Sequence, residues 1–255
     1  MLRKALTSAL LGGGLLATAT AEAATITVAV AANFTKAAEE LGAAWEETTD
    51  HDVRLSFGPS GKLLAQIQNG APFDAYFSAD TERPQTLVEA GEARDFFVYA
   101  RGQLALLSLE LPVDERAEAI LAEGDFRHLA IANPEAAPYG LAAQQVLEER
   151  GLYQRYQEAG RLATAESITQ ALQFTTTGNA ELGFIARSQL RDPESPIQGD
   201  EGHVWMPPAE DYEAIEQGAA ALTQSRHPEV VDDFLAFVRS ERGAAIIQEY
   251  GYDTP

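Results

Sequence analysis

Four short stretches of this sequence could hold a small anion. Each follows a run of β-forming residues and precedes a helical pattern: Asn33 after 25–32, the turn Gly58-Pro59-Ser60-Gly61 after 53–57, Pro138-Tyr139-Gly140 after the run ending at Ala132, and the helix start at Ile168. In parallel α/β sheets ligand groups gather outside the carboxyl ends of strands. The first N–H groups of a helix have no intrahelical acceptor, and the helix dipole adds partial positive charge at the same point. Asn33 and Ser60 add side-chain donors and Tyr139 a phenolic one, while Gly61 and Gly140 let a ligand approach the backbone. Ile168 offers only its main-chain N–H. Taken singly, each junction reads as an ordinary helix cap, or for Tyr139 a core aromatic. Donors at several strand ends, with hardly any charged neighbour, point instead to anion capture.

Other chemistries find little support. The chain has no cysteine, which excludes disulfides, thiolate metal sites and thiol nucleophiles. His51, His128, His203 and His227 are scattered without metal-ligand spacing. No G-x-S-x-G or Walker A string occurs. Asp74 and Asp80 flank one predicted strand too far apart for a local acid/base pair, so a hydrolase built on them would lack a second group. Lys62 reads as a solvated helix-face lysine. Among 255 residues, 39 acidic side chains face 18 basic ones, for a formal charge of -21. Such a field repels phosphate backbones and anionic lipid, so no nucleic-acid or membrane-surface partner is expected. The lysines are Lys4, Lys36 and Lys62, and 45% of the residues are apolar, enough for a packed core.

The donors need rigid elements to aim them. Arg3 and Lys4, the weakly apolar run 5–17 and two A-x-A patterns read as a signal peptide over 1–21, cleaved after Ala21 or Ala23, which places the mature protein in the periplasm. Cleavage after Ala21 makes the charge two units more negative than -21. Three β-loop-α units follow, through the strands at 25–32, 53–57 and 74–78. Extended chain with a glycine joint at Gly102 spans 96–108. A second α/β series then uses 129–132, a helix from 141, the helix at Ile168 and a strand at 182–186, before a polar loop over 191–202 and helices at 228–239 and 241–250. The fold class expected is α/β: two doubly wound lobes with a ligand cleft between them, lobe 1 from 25–102 and 217–255, lobe 2 from 103–216.

Several strings resemble one family along nearly all of the mature chain: VAVAANFT (28–35), FGPSGKLLAQI (57–67), GAPFDAYFSAD (70–80), NPEAAPYG (133–140) and ELGFIARS (181–188). They resemble the substrate-binding proteins of molybdate ABC importers, of the type II periplasmic binding fold. The resemblance implies capture of molybdate, and tungstate with it, by neutral donors, followed by delivery to the membrane subunits of an ABC permease. It implies a monomer without catalytic residues, cofactor or cation site, the metal being held through its own oxygens. The alternative is the same fold binding sulfate or another small anion. Carried over by position, the donors are Asn33 with main chain from Ala32, Ser60, Tyr139 and Ile168. One branch of the family uses a tyrosine at the position of Ala186, which has no side-chain donor here, so Tyr139 supplies the hydroxyl. The lobes are expected to close about 100–104 and 213–222.

Overall fold

A computed structural model describes residues 23–197 and 202–255. The signal peptide expected over 1–21 and part of the polar loop at 191–202 lie outside the described residues.

The chain builds two five-stranded sheets. The first has β1 (Thr25–Ala31), β2 (Asp52–Gly58), β3 (Ala75–Phe77), β4 (Ala93–Gly102) and β10 (Ile215–Leu222) in the order β2-β1-β3-β10-β4. The second has β5 (Leu104–Ser108), β6 (Leu129–Ala132), β7 (Leu162–Ala165), β8 (Leu182–Ala186) and β9 (His203–Trp205) in the order β7-β6-β8-β5-β9. Three strands in each sheet are parallel, as the β-loop-α units require. Both doubly wound sheets are mixed, because β10 runs antiparallel to β3 and β4, and β5 antiparallel to β8 and β9. Those are the two strands that arrive from the opposite sheet. The chain crosses at the carboxyl ends of the parallel strands, so an arriving strand must run backwards through its new sheet. The second crossing lies at 206–214. The stretch 215–222, expected to act as a joint, is a strand held between β3 and β4.

Helices cover both sheets. α1 (Thr35–Glu46) buries Ala37, Ala38, Leu41, Ala44 and Trp45 on one stripe and leaves Glu39, Glu40 and Glu46 wet. The C-terminal helices α8 (Pro228–Val238) and α9 (Glu241–Glu249) return to the first sheet, where Val231, Phe234, Leu235, Ile246 and Ile247 share a core with β1 and α1. Trp45 meets Phe234 edge-on at 5.2 Å and donates from Nε1 to Asp233 Oδ2 at 2.8 Å. The elements that matter most for function are α2 (Ser60–Gln68), α5 (Pro138–Glu149) and α7 (Ile168–Thr176), each starting directly after a strand or a short loop at the cleft. The remaining helices are α3 (Glu82–Glu89), α4 (Val113–Glu123) and α6 (Tyr153–Glu158).

Candidate functional site

Four helix starts from the two sheets converge on one point. β1 ends in a helical turn over Ala32–Phe34, β2 leads through Pro59 into α2 at Ser60, β6 leads through 133–137 into α5, and β7 leads through Ser167 into α7 at Ile168. Between them lies a small cavity of ≈ 10 Å³ lined by Ala32, Asn33, Ser60, Tyr139 and Ile168 together with Ala79, two prolines and other small side chains. The structure thus brings all five sequence-derived residues together. A cavity needs about 10–15 Å³ on this measure to hold one water, so any larger guest requires the sheets to part from this position. No acidic or basic side chain lines it.

The donor inventory can be read residue by residue. Ser60 is 1% exposed; its Oγ accepts the Ala79 N–H at 3.0 Å, which leaves the hydroxyl hydrogen for the cavity. Tyr139 Oη accepts from Gln217 Nε2 at 3.2 Å and likewise keeps its own hydrogen. Burial pushes the Tyr139 phenol well above its ordinary pKa, so it stays a neutral donor. In α7 the Ser167 hydroxyl takes the Gln170 N–H at 3.2 Å and the Ser167 carbonyl takes the Ala171 N–H at 3.0 Å. The Ile168 N–H, in the first turn, is left facing outward from the helix start. Asn33 differs from expectation. Its Nδ2 donates to Gln217 Oε1 at 2.8 Å and to Tyr252 Oη at 3.1 Å, so both amide hydrogens are committed to protein acceptors. Asn33 can serve a ligand only through its main chain.

The two glycines also act otherwise than expected. A Cβ on Gly140 would stand 2.3 Å from the Ala132 carbonyl oxygen, so this glycine lets α5 sit directly on the end of β6. A Cβ on Gly61 would stand 3.2 Å from Ala136 Cα, and the Gly61 N–H donates to the Ala136 carbonyl at 2.9 Å across the cleft. Both permit backbone-to-backbone approach instead of exposing backbone to a ligand.

Further bonds hold the two sheets together over the cavity. Lys36 pairs with Glu194 at 2.6 Å and Lys62 with Glu166 at 2.8 Å, each joining a first-sheet helix to the second-sheet side. Arg83 Nη2 donates to the Glu135 carbonyl at 3.0 Å. Lys62 is therefore a clasp at the rim and contributes nothing inside the cavity. Asp80 caps α3 through the Arg83 N–H at 2.9 Å and pairs with the Arg83 guanidinium. Asp74 accepts from the Thr27 N–H at 2.7 Å and the Ser225 hydroxyl at 2.6 Å. Both carboxylates are spent on structure. Among the described residues no group of His, Asp and Glu is arranged to hold a metal ion. A cleft of ≈ 680 Å³ opens beside the cavity past Asn33, toward Lys36, Leu172 and Tyr250. It is too roomy to surround a small ion with donors.

Sequence reasoning missed Gln217, Tyr99 and Tyr252, which stand behind the cavity, and read Gly102, beside them, only as a joint. Gln217 is fully buried in β10, between Glu216 and a run of Gly and Ala; a lone amide in a buried strand was the available signal.

Comparison with known proteins bears on the same geometry. The family model for bacterial extracellular solute-binding proteins matches residues 26–253. The chain belongs to that family. The molybdate-binding protein ModA of Azotobacter vinelandii is 41% identical over 244 residues, covering 95% of this chain and 94% of the relative. The molybdate-binding protein ModA of Rhodobacter capsulatus is 40% identical over 237 residues, covering 92% and 90%. The solved structure of the Azotobacter vinelandii periplasmic molybdate-binding protein superposes with a TM-score of 0.85 at 36% identity, over 90% of this chain and 99% of that one.

Proposed function

We propose that this protein is an exported receptor that captures molybdate, and tungstate with it, and delivers it to the membrane subunits of an ABC permease. One observation carries the reading: neutral donors from four helix starts converge on a compact cavity without a single charged side chain. A dianion there is held by oriented N–H and O–H groups whose bonds are strengthened by exclusion of water. No lysine or arginine needs to be discharged on release. The names borne by the relatives at about 40% identity support the choice of ion. The ligand-contacting groups in this reading are the main chain of Ala32 and Asn33, the Ser60 hydroxyl, Tyr139 and the Ile168 N–H. The metal arrives as cargo inside its oxygen shell, so no cation site, resident cofactor or catalytic group is required. The protein acts as a monomer in the periplasm, and the leader over 1–21 is its export signal. Its lobes, 25–102 with 217–255 and 103–216, part and close about the crossings near 103 and 206–214.

Calorimetric titration of the purified protein with molybdate, tungstate, sulfate and phosphate tests this. Tight binding of the first two is expected; tight sulfate binding without a molybdate signal would replace the proposal with its sulfate alternative. Ser60→Ala removes one hydrogen bond to a charged ligand and should weaken molybdate about 10-fold or more. The Ala79 N–H loses its acceptor as well, so the variant should be about 1–3 kcal/mol less stable yet folded at the temperature of the titration.

The rim clasps give a separate expectation. Replacing both Lys36 and Lys62 by Met should weaken binding by less than about ten-fold, since exposed pairs contribute little. The deficit should shrink as salt is raised, because screening already weakens those pairs in the parent. A deficit that persists unchanged in high salt would mean the lysines act by some other route.

A further inference from the structure

The hydrogen bonds behind the cavity have only one consistent direction. Tyr252 Oη lies 2.6 Å from the Asn33 carbonyl oxygen, which can only accept, so the Tyr252 hydrogen is spent there. The Asn33 amide group 3.1 Å from Tyr252 Oη must then be the donor, Nδ2. That same Nδ2 faces the Gln217 amide at 2.8 Å, so the Gln217 atom opposite it must be the oxygen. Tyr99 Oη stands 2.9 Å from the same oxygen and 3.1 Å from the Ser78 carbonyl, and shares its one hydrogen between these two acceptors. With Oε1 fixed on that side, Nε2 is turned toward Tyr139 Oη at 3.2 Å and donates to it. Tyr139 is thereby made an acceptor from behind, and its single hydrogen has only the cavity to go to. Gln217, Tyr99 and Tyr139 are at most 3% exposed, so the middle of the chain is shut off from water, while Asn33 and Tyr252 border the wide cleft.

We infer that Gln217 is a specificity-determining residue: together with Tyr252 it sets the direction of this chain and locks Tyr139 as an obligatory donor, so that the site rejects oxyanions carrying a proton. The inference rests on the oxyanion-receptor reading above. A fully deprotonated tetrahedral ion meets donors on every side. Hydrogen phosphate or hydrogen arsenate would bring a hydrogen to a position where another hydrogen already points, losing a bond and adding a repulsion. Gln217 does not line the cavity and touches no ligand, so it acts through Tyr139 as a positioning residue.

Gln217→Glu reverses the chain. An ionised carboxylate accepts from Asn33 and Tyr99 and draws the Tyr139 hydrogen away from the cavity. The molybdate-to-phosphate affinity ratio should fall about 100-fold, the equivalent of one charge-assisted bond lost and its opposite gained. On acidification the introduced carboxyl takes up a proton, can donate to Tyr139 again, and the molybdate preference should return, a pH profile that the parent lacks. Tyr252→Phe tests the far end with little risk to folding. It removes the hydroxyl that fixes Asn33, lies outside the cavity lining, and should lower the same ratio several-fold, by roughly the value of a neutral hydrogen bond. In a Tyr139→Phe background neither change should alter the ratio further. A parent that binds molybdate while both single variants keep its ratio would overturn the inference alone. A parent that binds none of the four oxyanions would overturn the receptor reading, and the inference with it.

Discussion

Ile168→Pro is expected to lose molybdate affinity by about 10- to 100-fold while the protein keeps its fold, the magnitude of one hydrogen bond to a charged acceptor. The substitution works because Ile168 occupies the first helical position of α7, where proline is favoured and its missing N–H breaks no helical bond. Ser167 before it is already extended, at φ -144° and ψ 165°, as a residue preceding proline must be. The Ser167 cap on the Gln170 N–H and the bond from Gln189 Nε2 to the Ile168 carbonyl both survive. On the backbone one N–H is deleted and no hydrogen bond within the protein is broken. The lost aliphatic packing is controlled by Ile168→Ala, which keeps the N–H and at 3% exposure costs about 2–5 kcal/mol of stability. Calorimetry on the two variants separates the effects. If proline and alanine bind equally well, the Ile168 N–H is not a ligand donor and α7 serves only as a wall.

Why this residue was legible at all is instructive, since its side chain carries no chemistry. The role proposed for it follows from position: the first residue of a helix that begins just past a strand, a feature visible in local sequence. The same holds for Ala32, Asn33, Ser60 and Tyr139, each within a few residues of its own strand end. The groups that orient them come from far along the chain. Gln217 lies 184 residues from Asn33 and 78 from Tyr139, and Tyr252 lies 219 from Asn33. No local periodicity reports such pairings. β10 itself escaped notice because IEQGAAAL is poor in the branched and aromatic residues that mark strands. Its place between β3 and β4 is set by burial on both faces, and this turned an expected joint into a strand. The short elements α6 and β9, of six and three residues, likewise take their form from what they pack against. Asn33 shows the limit inside the site: the residue was found, but its amide hydrogens serve the protein.

Closure itself can be attacked at one atom. Gly102 ends β4, pairs with Ile215 across the ladder, and has no need of a left-handed backbone. What it needs is space: a Cβ there would stand 2.0 Å from Tyr139 Oη, 2.7 Å from Gln217 Nε2 and 2.9 Å from Tyr139 Cζ. Tyr139 belongs to α5 on the second sheet, so a methyl group at 102 is a wedge between the sheets at the point where they meet. In the open protein that wedge touches nothing from the other side, and alanine suits a strand better than glycine does. Gln217 lies on the same sheet, so Gly102→Ala should cost the ligand-free protein some stability, but less than the closed form loses, where the Tyr139 contacts add to it. The closed, ligand-holding form must absorb an overpacked contact of about 1–3 kcal/mol and displace the Tyr139 hydroxyl as well, which together weaken molybdate by about 100-fold. Most of the loss should appear as faster release, because the methyl group opposes the closed state and not the encounter. Combining Gly102→Ala with Tyr139→Phe removes the atom that clashes worst, so the double variant should bind much as Tyr139→Phe does alone. Such non-additivity would locate the damage at the Tyr139 hydroxyl. Additive losses would mean that the methyl group acts on the β4–β10 ladder instead, and parental affinity in Gly102→Ala would mean that the ion is held with the sheets further apart than they stand here.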